Sequence, residues 1–356
     1  MDLNDLGYDN RHEALRQQLK LEGYEIGRVI AEHRERFILK THQDEYEAEI
    51  TGNLRFSAAG REDFPAVGDW VAFSAYDSNY GVIHRILPRH SVIKRRAVGN
   101  FGEVQIIAAN VDFAFLVQAV DRDFSVNRLE RYLTICRASG VSPIIVLTKT
   151  DLTDGRRRDE IVESIRERIG DVPVLPVSNA TRDGYESLKK FIEKGKTYCL
   201  LGSSGVGKST LLNNLLGKTI MKTGAISTAT DRGRHITSHR ELVVLDSGGI
   251  LIDNPGMREV GITETADGVN SAFDKIAQLA QHCKFKDCTH TTEAGCAVLG
   301  ALDDGSLDRG AYDNYLKIEK ERAYFETSAA ERKKKEKMFG KVLKDYLKKD
   351  IKGKRL

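Results

Sequence analysis

Gly202-Ser203-Ser204-Gly205-Val206-Gly207-Lys208-Ser209 is the segment whose residue types and spacing most directly imply chemistry. Its glycines let successive backbone N–H groups turn inward around phosphate oxygens at the start of a helix. Lys208 would bring a point charge to the outer phosphates, and the Ser209 hydroxyl would coordinate Mg²⁺. The pattern G-x-x-x-x-G-K-[ST] is informative only between a strand and a helix. Residues 197–201 read as that strand and 210–216 as that helix, so Gly202 through Thr210 are expected to hold nucleotide phosphates.

A phosphate loop alone does not choose between adenine and guanine. Residues 144–147 form an apolar strand that runs into Thr148-Lys149-Thr150-Asp151. An Asp in that place accepts hydrogen bonds from N1–H and the exocyclic amine of guanine, and adenine would leave it unpaired. A second strand over 174–177 runs into Ser178-Asn179-Ala180, a turn suited to a backbone contact with the guanine carbonyl. Together these segments point to GTP and GDP.

Downstream, Asp253-Asn254-Pro255-Gly256 follows a strand over 249–252. Asp253 would hold Mg²⁺ through water and the Gly256 N–H would contact the γ-phosphate. Between the two phosphate motifs lies a pattern-free stretch containing Gly233-Arg234-His235-Ile236-Thr237-Ser238. A Thr in such a loop completes Mg²⁺ coordination when the γ-phosphate is present. Thr237 is the expected residue, with Thr230 the alternative. Many GTPases carry Gln directly after D-x-x-G; here Met257 stands there and cannot orient water. Lys208, Thr237 and His235 are therefore the candidate catalytic residues, with slow intrinsic turnover expected until a partner completes the site.

The guanine motifs precede the phosphate motifs, so the domain reads as circularly permuted. Permutation is tolerated where termini lie close together on the surface. One consequence is that the Asp253–Gly256 segment leads straight into the C-terminal part of the chain.

Cys283-x4-Cys288-x-His290-x5-Cys296 offers three thiolates and an imidazole within 14 residues. That is a closed tetrahedral set for one structural Zn²⁺. His282 is a rival ligand, but it adjoins Cys283 too closely for both to reach one ion. Cys136 and Cys199 sit in apolar surroundings and read as core residues, and five cysteines so placed do not make a disulfide scaffold.

The elements that must position these groups fall into successive rhythms along the 356 residues. Residues 1–23 form an N-terminal extension. Over 24–98, five short alternating strands (27–30, 36–39, 47–50, 69–73, 81–86) fit a small closed barrel. An OB-fold is the expected form and an SH3-like barrel the competing one. Arg85, Arg89, His90, Lys94, Arg95 and Arg96 make its end basic, which suits RNA. Over 99–261, strands at 111–117, 143–147, 172–177, 197–201, 242–245 and 250–252 alternate with helices at 127–138, 157–169, 185–193 and 208–216. That alternation implies a mostly parallel sheet covered by helices. A Cys/His-bearing helical unit follows over 262–330, then a basic tail over 331–356. The tail carries 12 Lys/Arg against 4 Asp/Glu, a charge of +8 within a chain of net +3, and suggests a polyanionic partner. The fold expected is thus α/β, a permuted P-loop GTPase domain between an OB-fold barrel and a zinc-binding helical domain.

No apolar run is long enough to span a bilayer, and the acidic start Met1-Asp2-Leu3-Asn4-Asp5 lacks the order of a signal peptide, so the expected location is cytoplasmic. From about Tyr24 to the C-terminal helices the chain resembles the RsgA (YjeQ/YloQ) family of circularly permuted GTPases. The motif order, the Gly233-Arg234-His235 loop and the cysteine spacing carry that resemblance. Ile236 and Ser238 depart from the threonines usual in the loop, and Asn254 from the usual Thr or Ser. The resemblance implies binding to the small (30S) ribosomal subunit and its 16S rRNA; no DNA or membrane partner is expected, and with no heptad or long apolar edge to argue against it a monomer is expected. The resemblance also implies GTP hydrolysis coupled to late subunit maturation. Competing readings are a P-loop kinase or ATPase, disfavoured by Asp151, and a GTP-sensing RNA-binding protein without significant turnover, which Met257 keeps open.

Overall fold

The computed structural model describes residues 2–33, 36–76, 79–96, 104–121, 124–217, 241–253, 269 and 271–323, without the side chains of Arg95, Arg96 and Asp253. Thr230, His235, Thr237, Gly256, Met257 and the basic tail lie outside the described residues.

The N-terminal segment folds onto its neighbours. Helix α1 (Asn10–Gln18) is capped by the Asp9 carboxylate, which accepts from the N–H groups of Arg11 and His12. Ahead of it, Leu6 is buried, and Tyr8 packs edge-on against Trp70 with ring centroids 5.0 Å apart.

Strands β1 (Glu25–His33), β2 (Arg36–Lys40), β3 (Glu45–Ile50), β4 (Trp70–Tyr76) and β5 (Tyr80–Ile86) turn alternate side chains inward. Val29, Leu39, Ala48, Phe73 and Ile83 fill the interior. The strands lie in the order β1-β2-β3-β5-β4, and β4 returns to pair with β1. The β3–β5 pair is parallel and the others antiparallel. With a short helix α2 (Gly52–Ser57) between β3 and β4, this is the OB-fold and not the SH3-like alternative. One expectation is corrected here. Arg89 is not a free basic group: its guanidinium grips the fully buried Asp69 carboxylate at 2.8 and 2.7 Å and donates to the carbonyls of Glu62 and Phe64.

Strands β6 (Val92–Arg96) and β7 (Val104–Ala109) form a separate antiparallel ribbon. The main sheet then builds from β8 (Phe113–Ala119), β9 (Ser142–Thr148), β10 (Val174–Pro176), β11 (Thr197–Leu201), β12 (Glu241–Val244) and β13 (Ile250–Asp253). Its order is β10-β9-β8-β11-β13-β12, parallel except for β12. Pro173 precedes the three-residue β10 and Pro176 ends it, and neither can donate to a ladder.

Helices α3 (Val126–Ala138), α4 (Gly155–Ile169), α5 (Tyr185–Lys190) and α6 (Lys208–Leu216) cover the sheet. Leu129, Leu133, Ile161 and Ile165 pack on one face; Tyr185, Leu188, Leu211 and Leu212 pack on the other. The first of these cores continues into helices α7 (Asp274–Ala280) and α8 (Ala297–Asp303) through Ile276 and Val298. Cys136 and Cys199 are fully buried in that core, as expected, and burial pushes the Cys199 thiol pKa far up.

Two features weld barrel to sheet. Ala31 of β1 pairs with Glu241 of β12, so barrel and sheet share one hydrogen-bonded array. Arg28 of β1, 1% exposed, donates to the carbonyls of Leu6, Gly68 and Asn110 and to the Thr197 hydroxyl. Burial lowers its pKa to about 10, opposed by Asp112 and Asp69, so it remains a cation.

Candidate nucleotide and metal sites

The phosphate loop leaves a strand with every residue buried. After β11, Gly202 lies so close to the β8 backbone that a Cβ would come within 2.3 Å of the Val117 carbonyl. At the other end Gly207 has φ +95° and a Cβ there would meet the Asn179 amide at 2.6 Å. Only glycine meets both demands. Between them the loop turns and α6 begins at Lys208, with Ser209 and Thr210 in its first turn. The Lys208 ammonium lies across the loop and donates to the carbonyls of Gly202 and Ser203 at 2.7 and 2.6 Å.

The guanine motifs are tied to this loop from behind. Thr148, fully buried at the end of β9, donates from its hydroxyl to the Val206 carbonyl at 2.6 Å. Lys149 then takes a left-handed conformation, φ +61°, and a short 3₁₀ turn (Thr150–Leu152) presents Asp151. The Ser178 hydroxyl donates to Asp151 Oδ1 at 2.6 Å and accepts from the N–H groups of Ala180 and Thr181. One carboxylate oxygen of Asp151 is thus held by the Ser178 hydroxyl.

Asn179 acts as a brace between the motifs. Its amide donates to the Gly207 carbonyl at 3.0 Å, while its own oxygen accepts from the Tyr185 hydroxyl and its carbonyl from Asn214. Sequence reading missed Tyr185 and Asn214, which carry no motif and matter only through this junction. It also missed Asp121, at the end of β8, whose carboxylate holds the Lys149 ammonium at 2.9 Å. Phosphate loop and guanine turn together border an open cleft of ≈ 830 Å³, with Ser203 and Ser204 on one wall and Lys149 and Leu152 on the other.

Asp253 closes β13, which runs parallel to β11 with Ile252 opposite Cys199. The backbone therefore brings Asp253 to the strand ends where the phosphate loop starts. Of the other expected phosphate-side groups, His235, Thr237 and Gly256 are outside the described residues.

The four expected metal ligands converge. One donor atom from each of Cys283, Cys288, His290 and Cys296 lies within 4.8 Å of all the others. His290 Nδ1 is 3.5 Å from both Cys283 Sγ and Cys296 Sγ, and those sulfurs are 3.8 Å apart. Edges of this length belong to a tetrahedron around an ion with Zn–S and Zn–N bonds of about 2.0 to 2.3 Å. Burial holds the His290 imidazole below its ordinary pKa and so in the neutral form that ligates metals. The Tyr312 hydroxyl fixes the His290 carbonyl at 2.7 Å. His282 does not join: its Nδ1 donates to the Gln278 carbonyl. The donor set fits Zn²⁺ with no open position.

This unit is bolted to the nucleotide domain. Buried Glu130 of α3 accepts from Arg168 of α4 and from Asn314 of the helix over 309–323. On the same face Arg131 grips the Glu321 carboxylate at 2.5 and 2.7 Å.

Residues 86–263 match the family model described as RsgA GTPase. A relative from Opitutus terrae, "Small ribosomal subunit biogenesis GTPase RsgA", is 43% identical over 91% of this chain and 90% of its own length. The chain belongs to the RsgA GTPase family. A second relative, "Small ribosomal subunit biogenesis GTPase RsgA 2" of Lactiplantibacillus plantarum, is also 43% identical, over 90% of each chain. Two solved structures share the fold. YjeQ from Thermotoga maritima matches with TM-score 0.63 and 25% identity, over 84% of this chain and 98% of that one. YloQ, titled a circularly permuted GTPase, matches with TM-score 0.61 and 26% identity, over 84% and 95%. As a member of the RsgA family the chain is a GTP hydrolase, which implies GTP, GDP and Mg²⁺ as its ligands. Among the described residues no helix is long and apolar enough to cross a membrane.

Proposed function

We propose that this RsgA-family GTPase binds the small (30S) ribosomal subunit through 16S rRNA and couples GTP hydrolysis to late subunit maturation. The observation that carries the reading is a register across three strands. Asp253, which opens the D-x-P-G segment, pairs with Glu241, and Glu241 pairs with Ala31 of the barrel. A strand that ends at the phosphates is therefore two rungs from an RNA-binding type of fold, and the names of the relatives supply the small subunit.

In this reading Ser209, Thr237 and Asp253 hold Mg²⁺, which offsets charge developing on the phosphates. Gly202 through Thr210 wrap the phosphates, Lys208 offsets further charge, and Gly256 contacts the γ-phosphate. Thr148, Lys149, Thr150, Asp151, Ser178 and Asn179 form the guanine end. His235 orients the attacking water, since Met257 cannot. The Cys283, Cys288, His290 and Cys296 zinc is structural. The protein acts as a cytoplasmic monomer, with no DNA or membrane partner.

The test is GTP turnover with and without purified small subunits, with ATP and large subunits as controls. Stimulation by small subunits alone is expected. Flat turnover with both subunits would remove the maturation reading. Met257 favours a second reading, an RNA-binding GTP sensor without significant turnover, and tight subunit binding with no phosphate release would select it.

A further inference from the structure

The N-terminal segment, the barrel and the nucleotide sheet meet around a cavity of ≈ 220 Å³. Tyr8, Arg11 and His12 reach it from α1 and the turn before it, Arg28 and Trp70 from the barrel. Asp112 and Lys196 stand just ahead of β8 and β11, at the ends of those strands away from the phosphate loop. The carboxylates here are already committed. Asp9 accepts from the N–H groups of Arg11 and His12 and from the Arg11 guanidinium. Asp112 accepts from the Thr197 N–H at 2.8 Å. Among the cations, Lys194 is met by Asp5 at 2.8 Å, and Arg28 by its surrounding carbonyls. Two nitrogens are left over. The His12 residue is 5% exposed and its Nδ1 is held by Asp9 at 2.7 Å, but among the described residues nothing bonds its Nε2. Lys196 Nζ comes no nearer than 3.6 Å to Asp112 Oδ1, too far for a hydrogen bond. His90 Nε2 stops 3.9 Å from the same oxygen.

Polar atoms set this deep in a protein have partners. The partner that suits these nitrogens is an anion, which accepts from the ammonium, favours the charged imidazole and lies in the field of buried Arg28. Its acceptors must face α1, the approach to β11 and the loop that carries His90 at once. A tetrahedral oxyanion offers oxygens in all those directions, and a planar carboxylate does not. We propose that this cavity binds a small tetrahedral dianion, free phosphate or a phosphomonoester, between His12 Nε2 and Lys196 Nζ, with His90 and Arg11 around it. Held there, the anion ties the N-terminal segment to the start of β11, one strand length from the phosphate loop. The site is separate from the nucleotide cleft and does not depend on the maturation reading.

The experiment is calorimetric titration of the full chain with sulfate, a dianion whose own charge does not change across the working pH range. GDP and Mg²⁺ saturate the phosphate loop, so that any site found lies elsewhere. One saturable site per chain is expected, binding more tightly as pH falls through the ordinary imidazole value of 6.5. Lys196→Gln, at a side chain 41% exposed and so harmless to the fold, should weaken sulfate about 10-fold, the low end for a hydrogen bond to a charged group. His12→Gln should weaken it similarly and flatten the pH dependence, with His90 supplying what remains. Lys189→Ala, which removes an exposed cation of α5, should change nothing. Phosphate and glycerol phosphate separate the two sources: equal affinity marks the free ion, and tighter glycerol phosphate marks a monoester. The proposal falls if the GDP-loaded chain takes up no sulfate saturably, if acetate binds as tightly, or if Lys196→Gln and His12→Gln both bind as the parent does. An equal loss in Lys189→Ala would also overturn it, because binding would then follow net charge alone.

Discussion

The hydroxyl of Ser178 donates to Asp151 Oδ1 at 2.6 Å, so the carboxylate proposed to read guanine is aimed by a residue from the next strand end. Ser178 is itself 1% exposed, and its oxygen is positioned by two backbone donors. Removing a hydrogen bond to a charged group costs about 1.5 to 3 kcal/mol. Ser178→Ala should therefore weaken GDP and GTP binding roughly 10- to 150-fold while the fold persists. Equilibrium titration with a fluorescent GDP measures it, and an unchanged Kd would show that Asp151 needs no such support.

Lys208 lies across the loop and donates to two of its carbonyls. Lys208→Ala should lower turnover by roughly a hundred- to a thousand-fold, the loss typical of one preorganised charge-stabilising donor. Lys208→Arg should not rescue, because the planar guanidinium is not a compact point charge. Single-turnover phosphate release distinguishes these outcomes, and full activity in Lys208→Ala would displace the site.

The four-ligand cluster holds a segment with little core of its own, mainly Val298 and Ala301 of α8. Excess chelator, or Cys296→Ser, should unfold residues from Cys283 through α8 first and leave the guanine site intact. Limited proteolysis should cut there while GDP affinity is retained. Loss of GDP binding at the same chelator concentration would mean that the metal supports the whole chain.

Acid should loosen the N-terminal segment. Burial holds His12 below its ordinary value of 6.5, although Asp9 pulls it upward. His90, which lines the same cavity, is lowered by burial too, against Asp112. Between the depressed folded values and 6.5 the unfolded chain binds more protons, so stability is present above about pH 6.5 and lost as pH falls. The melting temperature should drop on acidification, and His12→Gln should make that drop shallower. An unaltered pH profile in His12→Gln would clear this histidine of the effect.

What was legible in the sequence was whatever depends on local pattern. Thr197–Leu201 and Lys208–Leu216 fall where strand and helix periodicity put them, because both flank a loop with strict backbone demands. The five barrel strands are recovered because alternation marks a half-buried pleat. The four metal ligands converge as their spacing implies. What was not legible depends on distant partners. Strand β7 runs on toward β8 with only Asn110 to Asp112 between them, so its apolar text does not announce a separate element. Helix α1 is mostly polar and holds its place through Tyr8, His12 and Trp70. Arg28 looks like an outward-facing strand residue until the carbonyls that surround it are in view. Asp121 and Lys149, 28 residues apart, meet only once β8 and β9 are paired.

The bond from Arg28 to Thr197 spans 169 residues, and that distance is also an interval of time. At about 5 to 20 residues per second, roughly 8 to 34 s separate the synthesis of the two. All five barrel strands are made before residue 87, so the barrel can close with Arg28 on the carbonyls of Leu6 and Gly68 before its Asn110 and Thr197 partners exist. Thr197 opens the strand that delivers Gly202 five residues later. The Arg28–Thr197 bond and the first turn of the phosphate loop are therefore born together, while the second weld, Ala31 to Glu241, waits for strand β12.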